Sequence, residues 1–257
     1  LSRTLTCRSI AIGHLSSRIA DDVFETLHRK TFKMQYDLKD ENQAKEYLKN
    51  VGIEYRYQCY QEKNPEGCHR LADFFESVKK EFEKAALVYK SNCDQSKYGH
   101  SCFKYGNYRV TGKGSEKDAD VGVDYYLKGC EYDYVPACHN AALLLHSEKL
   151  GTTHDPVRAV KLLKHGCEYK HVASCYQLSG WFLQGTKSIT KDMAQAFEFS
   201  QKACDLGNCY ACANLSQMYK KGEGVAQDAK QAEQFRLKAK ELYDEMTRAR
   251  RNITLNQ

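Results

Sequence analysis

The sequence predicts an all-α protein, an α/α solenoid of about five two-helix repeats. Three observations carry that prediction. Ten of the twelve cysteines fall into two interleaved series. One is Cys59, Cys93, Cys130, Cys167 and Cys204, in steps of 34, 37, 37 and 37; the other is Cys68, Cys102, Cys138, Cys175 and Cys212, in steps of 34, 36, 37 and 37. One shared period of this length marks stacked supersecondary units. Further columns keep the same register. Four residues after the second-series cysteines stand Ala72, Gly106, Ala142, Ser179 and Ser216, and two positions on stand Phe74, Tyr108, Leu144, Trp181 and Met218. Finally, only three prolines occur in 257 residues, which suits helices.

The elements follow in order. Residues 1–33 form an N-terminal extension, and residues 34–257 the solenoid with its C-terminal capping helix. A leading helix covers "DENQAKEYLKNVGIEYRYQCY" and ends near Cys59. Each unit then reads as helix A, loop, helix B, turn. Ala85, Gly122, Ala159 and Ala196 stand eight residues before the first-series cysteines; Val88, Tyr125, Leu162 and Phe199 stand five before. Offsets of three, four and seven place such residues on one helical face. Small residues let two helices approach closely, and large neighbours fill the groove beside them.

In the fourth unit helix A is about Ala173–Gln184, "GTKSITKD" is the loop, Asp192 is the N-cap, and helix B runs to about Cys204. In the second and last units Gly112, Gly114, Gly222 and Gly224 supply positive φ after a helix end. The last unit keeps Asp228, Ala232 and Phe235, but Lys240 replaces the cysteine and the helix runs on as "KELYDEMTRARR". That fits a terminal cap, which has no further unit to staple.

Composition narrows the function classes. The net charge of +6 is half accounted for by residues 1–33, which is weak support for nucleic-acid binding. No apolar run approaches the roughly 18 residues of a membrane span. No phosphate-binding G-x-G-x-x-G or Walker pattern follows a strand. No Ser-His-Asp order or carboxylate pair is legible, because stacking hides which residues meet.

The cadence of "YKKGEGVAQDAKQA" and the small-residue columns resemble Sel1-like repeats, a solenoid family related to tetratricopeptide repeats. One cysteine pair per repeat narrows the resemblance to the cysteine-rich branch, which includes the Helicobacter cysteine-rich proteins. "KNPEGCHRLADFFE", "VTGKG", "ACHNAALLLH" and "KDMAQAFEFSQKACDLGNCYACANLSQMYK" resemble the cytochrome c oxidase assembly factors of that branch, over about residues 34–240. The resemblance implies a soluble protein of the mitochondrial intermembrane space that supports assembly of complex IV, with complex I a further candidate. It also implies protein clients, haem binding, and thiol–disulfide activity towards copper chaperones.

From the family pattern and the short turns, the expected disulfides are Cys59–Cys68, Cys93–Cys102, Cys130–Cys138, Cys167–Cys175 and Cys204–Cys212. Loops this short each contribute on the order of 2–3 kcal/mol by chain entropy. A Cys68–Cys93 bridge within one hairpin stays open as an alternative. Disulfides argue against matrix and cytosol and for the intermembrane space. "LSRTLTCRSIAIGHLSSRIA", with three arginines and no acid, resembles a transit peptide. It starts with Leu and the resemblance begins near Met34, so a gene-model artefact is the alternative.

"CYAC" adds Cys209 one helical turn before Cys212, and Cys209 attacking Cys204–Cys212 would make that bond exchangeable. Cys204, Cys209 and Cys212 are thus the redox candidates, and the alternative is that Cys209 is a small hydrophobe in the turn. A zinc knuckle is not indicated, since no second short Cys pair matches "CYAC". Covalent haem attachment is not indicated either, because C-x-x-C-H is absent. His146 is the candidate haem ligand, with His139 and Met218 as other donors. A competing class is a β-lactam-binding or -hydrolysing enzyme, as in the bacterial relatives. "SVKK" at Ser77 and "SITK" at Ser188 match S-x-x-K, but neither S-D-N nor K-T-G accompanies them.

Overall fold

The computed structural model describes residues 36–148 and 152–255, and the side chains as far as residue 249. Cys7 and the whole N-terminal extension lie outside the described residues. Eleven α-helices and no strand occur among the described residues. The helices are α1 Glu41–Tyr60, α2 Pro65–Phe74, α3 Phe82–Ser96, α4 Gly99–Thr111, α5 Ala119–Glu131 and α6 Val135–His146. They continue with α7 Pro156–Glu168, α8 Val172–Gln184, α9 Met193–Asp205, α10 Cys209–Lys221 and α11 Ala229–Leu255. The chain divides into two compact units between Glu54 and Tyr55. In the first, Tyr36 packs against Tyr47 and accepts a hydrogen bond from Asn50.

The second unit is a series of five helical hairpins, α2/α3, α4/α5, α6/α7, α8/α9 and α10/α11, each packed on the next. Their caps are those the sequence offers. Asn64, Asp118, Asp155, Asp192 and Asn208 each accept a backbone N–H two or three residues on. Prolines sit in the first turns of α2, α6 and α7, where no backbone donor is lost.

The small-residue columns do what close packing requires. A Cβ on Gly106 would meet the Tyr126 ring at 2.7 Å, and one on Gly122 would meet Val110 at 2.5 Å, so α4 and α5 touch through glycine. The large column Phe74, Tyr108, Leu144, Trp181 and Met218 is buried throughout. In the loops, Gly114 at φ +65° presses on the backbone of Phe82 and Gly224 at φ +75° on that of Met193. Each of these loops thus seats on the start of helix B in the preceding hairpin.

The first hairpin departs from the pattern. Its helix A ends in a π-helical segment, Phe75–Lys79, and Lys80 turns left-handed at φ 57°. The Glu81 amide bonds back to the Phe75 carbonyl. A glycine loop such as residues 112–118 is missing there, and the wide turn closes the shorter connection. This is the physical counterpart of the 34-residue step.

The turns from helix B to the next helix A share one device. Lys63, Lys97, Asp133, Lys170 and Gly207 occupy equivalent positions, and all have φ between 52° and 88°. That left-handed residue reverses the chain and brings the flanking cysteines together. Cα separations across the pairs Cys59–Cys68, Cys93–Cys102, Cys130–Cys138, Cys167–Cys175 and Cys204–Cys212 are 4.3–4.8 Å, and all five are disulfide-bonded.

Candidate functional site

The first turns of the A helices line up from hairpin to hairpin, and they carry rings. His69 on α2 lies 3.9 Å from His100 on α4, and His100 stacks on Tyr134 at 4.5 Å. Phe103 also reaches Tyr134, at 5.2 Å. The pattern recurs as His139 against His171 at 5.2 Å and Tyr176 against Tyr210 at 6.2 Å. Two sequence columns build most of this ladder. One is the residue before each A helix, here Tyr98, Tyr134 and His171; the other follows the second-series cysteine, here His69, Phe103, His139 and Tyr176. His100 and Tyr210, each two residues before a second-series cysteine, complete it.

Burial decides the charge of the ladder. Desolvation pushes the His69 imidazole down to about 4, against the opposing pull of Asp73. It pushes His139 down to about 4 as well, helped by the neighbouring His171. His100 and His171 are lowered by burial too. The imidazoles are therefore neutral near pH 7. Such a strip can stack on side chains and hydrogen-bond a peptide without attracting counter-ions.

Two serine–histidine contacts lie behind it. Ser101 Oγ is 3.0 Å from His69 Nδ1 and accepts a bond from Asn92 at 2.8 Å. Ser174 Oγ is 2.8 Å from His171 Nδ1 and 3.4 Å from His139 Nδ1. Both serines have no exposed surface, so neither hydroxyl can reach a substrate carbonyl. Their role is to satisfy buried imidazole nitrogens. Beside the ladder, Glu76 accepts bonds from Lys104, Lys113 and Tyr89, which together hold its carboxyl down at about 2 despite burial.

The residues singled out in the sequence are scattered among these hairpins. Cys204 and Cys212 are bonded to each other and fully buried. Cys209 opens α10 and is the free cysteine among the described residues. It is 7% exposed and lines a groove of about 360 Å³ between α10 and α11, with Tyr210, Arg236, Lys240 and Tyr243. The alternative Cys68–Cys93 bridge is not formed; each sulfur is bonded elsewhere.

His146 ends α6. Its ring stacks on Trp181 at 4.1 Å, and Nε2 sits 3.2 Å from Thr186 Oγ1. Iron ligation through Nε2 would replace the Thr186 contact, while the ring could stay stacked on Trp181. Met218 is 1% exposed and part of the core. Ser77 lies in the π-helical segment, and Ser188 Oγ pairs with His154 Nε2 at 3.1 Å. One cluster of metal-donor type occurs among the described residues, Cys130, Cys138 and His165, whose donor atoms lie within 4.8 Å of one another. Its cysteines are joined as a disulfide, which withholds both thiolates from a metal ion.

The Sel1 repeat family model matches residues 99–131, 135–168, 172–208 and 209–244, more than half of the chain. A cytochrome c oxidase assembly factor 7 homolog of Drosophila melanogaster is 50% identical over 120 residues, covering 46% of this chain and 45% of that protein. Cytochrome c oxidase assembly factor 7 of Xenopus tropicalis is 47% identical over 118 residues, 44% and 51% of the two chains. The Homo sapiens protein of that name is 40% identical over 124 residues, 47% and 54% of the two chains. The matched stretch thus spans about half the length of the curated relatives. A crystal structure of a Sel1 repeat protein from Oxalobacter formigenes superposes with a TM-score of 0.59 at 24% identity, over 67% of this chain and 70% of that one, which shows the shared fold.

Proposed function

The chain belongs to the Sel1 repeat family, and on that premise we propose that it is an assembly factor for cytochrome c oxidase. It acts as a disulfide-stapled scaffold in the mitochondrial intermembrane space. The observation that carries this reading is the 40–50% identity to proteins named for that role. The neutral ring ladder supports a protein client: it offers stacking surfaces, and its two serine hydroxyls are buried against imidazoles. Five disulfides support an oxidising compartment. No helix among the described residues is long and apolar enough to cross a membrane.

Within that reading, Cys209 is the residue through which thiol exchange with clients such as copper chaperones would start, by attack on Cys204–Cys212. Haem binding would use His146, which would exchange its Thr186 contact for iron if it ligated through Nε2.

The test is complementation. Animal cells lacking the related factor receive the untagged full chain, and assembled complex IV and its oxidase activity are measured. Recovery, together with protease protection that is lost on rupture of the outer membrane, is the expected result. A protein that localises to that space yet restores no complex IV sinks the assembly role. A Cys209→Ser variant that restores as well as the parent sinks the thiol-exchange step alone.

A further inference from the structure

The Cys130–Cys138 disulfide differs from the other four in what stands over it. Cys130 closes α5, Cys138 opens α6, and His165 comes from the last turn of α7 in the same hairpin as Cys138. The position two residues before each first-series cysteine is Tyr57, Ser91, Lys128, His165 and Lys202. The next unit shows what the position does: Lys202 and Cys167 line one cleft of about 230 Å³. At Lys202 and at His165 the position thus faces the staple of the hairpin before it. Only at His165 is it a metal donor when the neighbouring disulfide is open. Cys130 is also only half-buried, whereas its partner Cys138 is fully buried. Among the bonded cysteines only Cys68 shares that exposure.

We propose that Cys130, Cys138 and His165 form a redox-gated binding site for a thiophilic d10 cation such as Zn²⁺. A dithiol reductant opens the site. Its thiolate attacks Cys130 Sγ, the S–S bond breaks, and Cys138 leaves as the thiolate. The second reductant thiol then displaces Cys130, so the reductant becomes a disulfide and the protein gains two thiols. Zn²⁺ replaces two thiol protons, and a neutral His165 nitrogen donates its lone pair. Around tetrahedral zinc, sulfur and nitrogen donors stand about 3.5–3.8 Å apart. All three donors already lie within 4.8 Å of one another, so once the S–S bond is broken side-chain rotation can spread the two sulfurs and bring His165 to that spacing. Two thiolates and one imidazole leave the fourth position for water or a client side chain. The oxidised protein cannot bind there, because both sulfurs are spent on each other.

The test uses the full chain and Co²⁺ as the spectroscopic probe, after stepwise reduction mapped by differential alkylation. The expected result is one Co²⁺ site with thiolate charge-transfer bands, appearing as Cys130 and Cys138 become thiols and while the far-UV spectrum remains helical. His165→Ala should weaken binding about tenfold or more, and His165→Cys should restore it. Replacing Cys130 and Cys138 by Ser should remove the site. Equal affinity in wild type and His165→Ala would overturn the proposal. So would a Cys130–Cys138 bond that opens only when helicity is lost.

Discussion

Removing one staple tests whether covalent bridges or packing hold neighbouring hairpins together. The perturbation is Cys167→Ala with Cys175→Ala. The bond closes a loop with a sequence separation of 8. The loop-closure relation gives about 8 cal/mol/K for that length, or about 2.5 kcal/mol at room temperature. Both sulfurs are buried in the core cluster, so truncation adds about 1 kcal/mol of lost contact. The expected loss is therefore about 2.5–3.5 kcal/mol. That is large against a domain stability of roughly 5–15 kcal/mol. Because each hairpin touches mainly its neighbours, the loss should also broaden or split the transition. Urea unfolding followed by far-UV circular dichroism measures both. Fully reducing parent and variant before unfolding should shrink the difference to the packing contribution. A loss below about 1 kcal/mol, or a difference unchanged by reduction, would refute the chain-entropy reasoning.

The remaining predictions concern the ladder and the turns. Burial holds His69 at about 4 in the folded protein, below the unfolded value near 6.5. Between those values the unfolded chain binds more protons, so stability falls as pH drops through the window, by up to about 1.4 kcal/mol per pH unit. His69→Gln should flatten that dependence, read as urea midpoints at about pH 7 and 5; a parent midpoint unchanged across the window would contradict it. At the left-handed turn positions, Gly207→Lys should cost about 1 kcal/mol and Lys170→Gly should gain a similar amount. The backbone alone decides the first case, since nothing lies within 4 Å of a Cβ built on Gly207. Thermal melting of both variants checks the pair of signs.

The hairpins were legible because their packing repeats in sequence. The fourth-unit helices expected at about Ala173–Gln184 and from Asp192 to about Cys204 are Val172–Gln184 and Met193–Asp205, with Asp192 capping as its side chain suggests. The leading helix ends at Tyr60, one residue past Cys59. What repeats imperfectly was harder to read. The π-helical end of the first hairpin answers a missing loop, and a shortened period reveals the deletion but not how the backbone absorbs it. Left-handed lysines at 63, 97 and 170 carry no signal of their own, because Gly, Asn and Asp are the residues that advertise that conformation in sequence.

The candidate site lies further from the sequence for a related reason. Its contacts run between hairpins, some 30 residues apart, and join different columns. His100 meets Tyr134 and His139 meets His171 only because the stack sets one first turn over the next. Neutral imidazoles follow from burial, which a column of His and Tyr does not announce. The same holds for His165, which looks like an ordinary helix-end histidine until the repeat places it beside Cys130 and Cys138. In a solenoid the period tells which residues are equivalent, while chemistry arises where equivalent positions carry different side chains. Departures from a neighbour's pattern, such as His165 between Lys128 and Lys202 or Cys209 beside a staple, are therefore where function should be sought first.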